Sequence, residues 1–116
     1  MTVLDTTVDG YTDLPAGRLA AAVVFLEQRA RPAARPDPAI EGLTLERLTD
    51  ADLDRYLALF AAVGEPWLWF GRRIMPRATL AAILADPAVE ALALTRDGHD
   101  VGLLELDARD PASIEL

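Results

Sequence analysis

Val89-Glu-Ala-Leu-Ala-Leu-Thr-Arg96-Asp-Gly-His-Asp-Val101-Gly-Leu-Leu-Glu-Leu106 is the stretch on which the fold turns. Val89–Thr95 and Val101–Leu106 are apolar runs of strand length, separated by Arg96-Asp-Gly-His99. Asp-Gly tolerates the positive φ angles that a tight turn between antiparallel strands demands, so a hairpin is predicted. Upstream, Pro76 opens a helix whose inner face is Leu80, Ile83 and Leu84, and Asp86-Pro87 ends it. Before that, Thr49 is a helix N-cap, with Asp50, Asp52 and Asp54 suited to the positive end of the helix dipole. Leu53, Tyr56, Leu57, Phe60 and Val63 recur at helical spacing as its apolar face, and Gly64 is the expected stop. Gly42-Leu-Thr-Leu-Glu-Arg47 alternates as a half-exposed strand does. Downstream, Pro111 breaks the chain and Ile114-Glu-Leu116 begins to alternate again, as the start of a further strand.

At the N-terminal end, Met1–Gly17 reads as irregular, punctuated by Gly10, Pro15 and Gly17. Leu19-Ala-Ala-Ala-Val-Val-Phe-Leu26 has the length and β-branched content of a buried strand, though its alanines also suit a helix. Pro32, Pro36 and Pro38 make Arg29–Ile40 an extended connector. The expected class is α/β in the broad sense (α+β): a mixed, mostly antiparallel sheet with two helices, in a single domain over residues 1–116.

Composition removes several functions. The net charge of −8 gives no basic footprint for nucleic acid and disfavours an anionic membrane surface. Cysteine is absent, so disulfides and thiol nucleophiles are excluded. Lysine is absent as well, which removes Schiff-base chemistry and a P-loop. With His99 as the only histidine, no histidine metal cluster can be assembled, and the expected metal is none. No run is long enough to span a membrane and no signal peptide is evident, so the expected location is cytoplasmic.

The densest candidate for binding is Trp67-Leu-Trp69-Phe-Gly-Arg72-Arg73, a loop combining flat aromatic faces with forked cationic donors. The competing reading makes its aromatics a plug between helix and sheet. Glu105 interrupts an apolar strand, and burial there would make it a proton acceptor; period-two alternation leaves its face open. Glu115 is a weaker case of the same kind. His99 falls in the turn and Ser113 has no neighbouring base, so a serine hydrolase is remote. Asp50, Asp52 and Asp54 lack the glycine and terminal glutamate of a calcium loop.

Taken in order, Val63-Gly-Glu-Pro-Trp-Leu-Trp69, Arg72-Arg73, Leu84-Ala-Asp-Pro87, Asp97-Gly-His-Asp-Val-Gly102, Glu105-Leu106 and Glu115-Leu116 resemble the N-terminal half of a bacterial branch of the GNAT N-acetyltransferase superfamily. The resemblance implies a strand, two helices, a hairpin and a fourth strand, and acetyl transfer from acetyl-CoA to a primary amine of a small molecule or peptide. It implies Glu105 and Glu115 as base or substrate-facing groups, and Trp67, Trp69, Arg72 and Arg73 as the acceptor-side wall. The family's pyrophosphate loop, of the type Arg/Gln-x-x-Gly-x-Gly/Ala, has no counterpart, since no Gly-x-Gly occurs in the chain. The expectation is a truncated domain that neither holds acetyl-CoA tightly nor turns over alone. The alternative is a non-catalytic or split subunit that associates, with itself or a partner, through a C-terminal strand edge.

Overall fold

The computed structural model describes residues 10, 11, 13–36 and 40–116. The chain divides into two units, Met1–Pro36 and Asp37–Leu116, at the proline-rich connector. In the second unit the strands are β1 (Leu43–Leu48), β2 (Val89–Arg96) and β3 (His99–Asp107), and the helices are α1 (Leu53–Gly64), α2 (Gly71–Ile74) and α3 (Arg77–Ala85). Single 3-10 turns at Asp50–Asp52 and Glu65–Trp67 flank α1.

The hairpin forms as its sequence dictates. Asp97 and Gly98 take φ of 50° and 79°, the paired left-handed geometry of a two-residue turn matched to strand twist. The strands order as β1-β2-β3, all antiparallel, an α+β arrangement. Leu48 pairs with Ala91, which pairs with Glu105; Glu46 pairs with Ala93, which pairs with Leu103. Cross-strand partners share a face, so Glu105 stands on the same side as buried Leu48, Ala91 and Ala93. Leu94 pairs with Gly102 and Thr95 with Asp100, leaving Val101 as the extra residue of a bulge. The bulge inverts the alternation: it brings Asp100 onto the helix-covered face and leaves Val101 49% exposed.

Helices α1 and α3 cover that one face. Leu48, Tyr56, Leu59, Leu80, Leu84, Ala91 and Ala93 form the core, with Leu53, Leu57, Phe60, Val63, Met75 and Leu103 packed around it. Leu59, absent from the predicted stripe, is buried on α1 alongside Tyr56. The opposite face carries half-buried Leu92, Leu94, Leu104 and Leu106 and exposed Leu45.

Thr49 caps through a box. Its hydroxyl accepts from the Ala51 amide at 3.3 Å, while the Asp52 carboxylate accepts from the Thr49 amide at 3.0 Å. Gly64 closes α1 in ordinary right-handed geometry, and Leu68, φ 59°, makes the left-handed turn instead. Glycine stands at 64 for contact: a Cβ there would lie 2.6 Å from Trp69 Cβ. Pro76 sits one position ahead of α3, which begins at Arg77. The Trp67–Arg73 loop also holds more structure than expected, since α2 begins within it.

Two predicted strands are corrected. Leu19–Leu26 is neither strand nor helix, and Phe25 and Leu26 are 88% and 92% exposed. A strand exists only through a neighbour's hydrogen bonds, and no described strand pairs with this run. At the other end, Ile114–Leu116 makes one antiparallel bridge, Asp107 with Glu115, rather than a fourth strand. Three residues following the Pro111 turn give one pair of backbone bonds, each 2.9 Å, and no ladder.

Candidate functional site

Tyr56 and Glu105 are the two polar groups that their apolar surroundings leave unexplained, and the fold makes them partners. Tyr56 projects from the buried stripe of α1 and is completely inaccessible. A buried phenol needs an acceptor. Its hydroxyl donates to Glu105 Oε2 at 2.5 Å. Glu105 Oε1 accepts from Arg72 Nη2 of α2, closing an ion pair whose side chains are 18% and 20% exposed. Each element contributes one group: α1 a neutral donor, β3 an anion and α2 a cation.

Electrostatics follows from this closure. Burial first, and then the adjacent carboxylate, push the Tyr56 phenol well above its ordinary range, so Tyr56 is held as a donor. Burial works against the Arg72 charge, but Glu105 more than offsets it and the guanidinium is raised. Both Glu105 oxygens are engaged. One bond comes from the Tyr56 phenol and the other, charge-assisted, from the Arg72 guanidinium.

Aromatic rings extend from this cluster. Tyr56 stacks on Phe60 with centroids 6.2 Å apart, and Phe60 meets Trp69 at 6.1 Å. Trp69 lines a shallow depression of about 180 Å³ with Glu65, Leu68, Phe70 and Arg73. The aromatics do not plug a core: Trp67, Trp69 and Phe70 are 74%, 53% and 58% exposed. Arg72 and Arg73, adjacent in sequence, part company. Arg72 turns in to Glu105, while Arg73 faces Glu65 at 3.7 Å.

Glu115 stands elsewhere. With Asp107, Arg109, Asp110 and Ser113 it lines an open depression of about 430 Å³. Arg109 clamps Asp107 and holds its carboxyl down at about 2. Ser113 Oγ donates to Asp110 at 3.2 Å. His99 is exposed at the start of β3. Among the described residues, no three His, Asp or Glu side chains gather to hold a metal.

The structure thus joins Glu105 to Arg72 and Trp69 to Arg73, and leaves Trp67 and Glu115 apart from both. Sequence reading missed Tyr56, taken only as part of an apolar stripe. The available signal was a hydroxyl on an otherwise apolar helix face and a carboxylate in an otherwise apolar strand, each needing a partner. It also missed Arg55, which bonds Asp100 at 2.6 Å and Glu46 at 2.9 Å across the sheet. That network depends on the bulge, which no local pattern announces. Comparison with protein-family models, with curated proteins and with solved structures finds no match to this chain.

Proposed function

We propose that these residues form the acceptor-facing front part of a GNAT-type N-acetyltransferase. The observation that carries the reading is the element order, strand, helices and antiparallel hairpin in one sheet, with Glu105 on its helix-covered face. The leucines on the opposite face support it, because a sheet apolar on both sides suits helical layers on both. In this reading acetyl-CoA, when bound, would supply the acetyl group through cleavage of its thioester C–S bond, with CoA released as the thiol. The residues here do not fit its diphosphate: they contain no Gly-x-Gly cradle, so no step is assigned to its binding. Their task is the acceptor amine. Trp69 and Arg73 form its wall, and Trp67 of the same segment is a candidate addition to it. Glu105, once released from Arg72, receives the proton that the amine sheds, directly or through a water. Glu115 remains a candidate substrate-facing group.

The test uses protein expressed from the complete reading frame, acetyl-CoA and a panel of primary amines. Because these residues include no cysteine, they add no thiol of their own to the signal from released CoA. The expected outcome is amine-dependent CoA release with one acetylated product per thiol. Glu105→Gln should lower kcat/KM by about 10²-fold, the lower end of a lost acid–base group. No amine raising thiol release above spontaneous hydrolysis would sink the reading.

A second reading has its own observation. Among the described residues, β3 has a strand partner on one side only, and its outer edge carries the single Asp107–Glu115 bridge. Such an edge suits strand addition by another chain, with no catalysis required.

A further inference from the structure

Glu105 is held by two partners with different anchorage. Tyr56 belongs to a twelve-residue helix in the core and is inaccessible. Arg72 rides on a four-residue helix. Around it, Trp67, Leu68, Trp69, Phe70 and Ile74 are each more than half exposed, so little apolar burial fastens the segment. A carboxylate with four-fifths of its side chain covered requires a cation beside it. Nothing in the core requires that cation to be Arg72.

We infer that Glu105 and Tyr56 form a recognition site for the guanidinium group of a ligand, with Arg72 as the resident occupant that the ligand displaces. The chemistry of the pocket selects this class. Glu105 Oε1 presents an acceptor where a guanidinium nitrogen already sits. The Tyr56 proton is committed to Oε2, and the phenol oxygen faces Arg72 as an acceptor, so whichever guanidinium occupies the site meets it as well. A planar fork can use both acceptors, while a point-like ammonium uses them less well. Phe60 and half-exposed Trp69 continue from Tyr56 as a row of rings along which the rest of the ligand lies. The net charge of −8 favours the arrival of a cation. As the anchor of an acetyl acceptor this site rests on the acetyl-transfer reading and gives Glu105 the anchoring role in place of the base, the amine proton then leaving to water; as a binding site it does not rest on that reading.

Displacement makes a specific demand. A resident competitor lowers apparent affinity, so removing it must tighten binding. Agmatine, an arginine-containing tripeptide blocked at both ends, and butylamine are titrated against the full chain, with tryptophan emission as the readout and no acetyl-CoA present. Agmatine should bind saturably, and Arg72→Ala should bind it about ten-fold tighter than the parent chain. Arg72→Gln, which keeps a neutral side chain in place, should do the same if the alanine variant is unstable. Glu105→Gln should weaken binding about ten-fold in either background, and butylamine should not saturate. The tripeptide binding as well as agmatine would make the ligand a peptide side chain; agmatine alone would make it a small molecule. If neither Arg72 variant binds either guanidinium probe more tightly, or Glu105→Gln binds equally well, the inference is wrong. Acetylation of amines together with no guanidinium binding would remove this inference and leave the acetyl-transfer reading. Guanidinium binding without acetylation would do the reverse.

Discussion

Tyr56 shows how one hydroxyl can link a helix to a strand. Its bond to Glu105 is charge-assisted and its ring lies within the core. Tyr56→Phe keeps the ring and removes the bond, so it should cost about 1–2 kcal/mol in urea unfolding, since the carboxylate keeps Arg72 and some water. The same phenol has a raised folded pKa, so its contribution is present below the unfolded value of about 10 and is lost as pH rises above it. The parent chain should therefore destabilise in alkali, and the phenylalanine variant should lose that part of the slope. Gly64 makes a different point. Alanine is ordinarily the better helix residue, by about 1 kcal/mol. Here its Cβ would press on Trp69 Cβ, an atom fixed to its backbone rather than the end of a flexible chain. Gly64→Ala should reverse the usual sign, with a loss of about 1–2 kcal/mol and a shift in tryptophan emission as Trp69 is pushed off Phe60.

Among the elements, the 3-10 turn that leads into α1 has the most fully specified start. The Thr49 hydroxyl accepts from the Ala51 amide and the Asp52 carboxylate from the Thr49 amide, so Thr49→Ala should cost about 1 kcal/mol by thermal or urea unfolding. Helix α2 is the contrasting case. Four residues cannot stabilise a helix through their own hydrogen bonds, and its polar tether is Arg72 on Glu105. Strand β3 lies between these extremes: its hairpin end is fixed by Asp97-Gly98, while its bulge is set by what Asp100 meets on α1.

For the molecule as a whole, three carboxylates among the described residues shape the response to acid. The Thr49 amide and hydroxyl depress Asp52, Arg55 depresses Asp100, and Arg109 depresses Asp107 to about 2. A depressed folded pKa contributes stability above the unfolded value, about 3.9, and that stability is lost as pH falls through the folded one. Midpoint denaturant concentration should therefore decline from about pH 4 to about pH 2. A chain whose stability was flat over that interval would show these pairs to be inert. The outer edge of β3 gives a second molecular property. If strand addition is its use, sedimentation should show concentration-dependent association, and Val101→Lys at the exposed bulge should return the chain to monomer.

Local patterns were enough for the hairpin, both longer helices and the first strand. Asp97-Gly98, Thr49 with its acidic turn, and Asp86-Pro87 act on the nearest few bonds, and their stereochemistry holds wherever the chain goes. Glu105 was legible as an anomaly but not as a partner. Its face follows from pairing with Ala91, and its occupants come from positions 49 and 33 residues away in sequence. Leu19–Leu26 marks the opposite case, an apolar run with strand composition and no strand. Composition speaks for a residue's preference, whereas a ladder needs a second chain segment at hydrogen-bonding distance. Turns and caps are short-range steric and electrostatic facts written in adjacent residues. The site, the bulge and the strand edges are decided by which distant backbone groups meet, and only the folded chain supplies that.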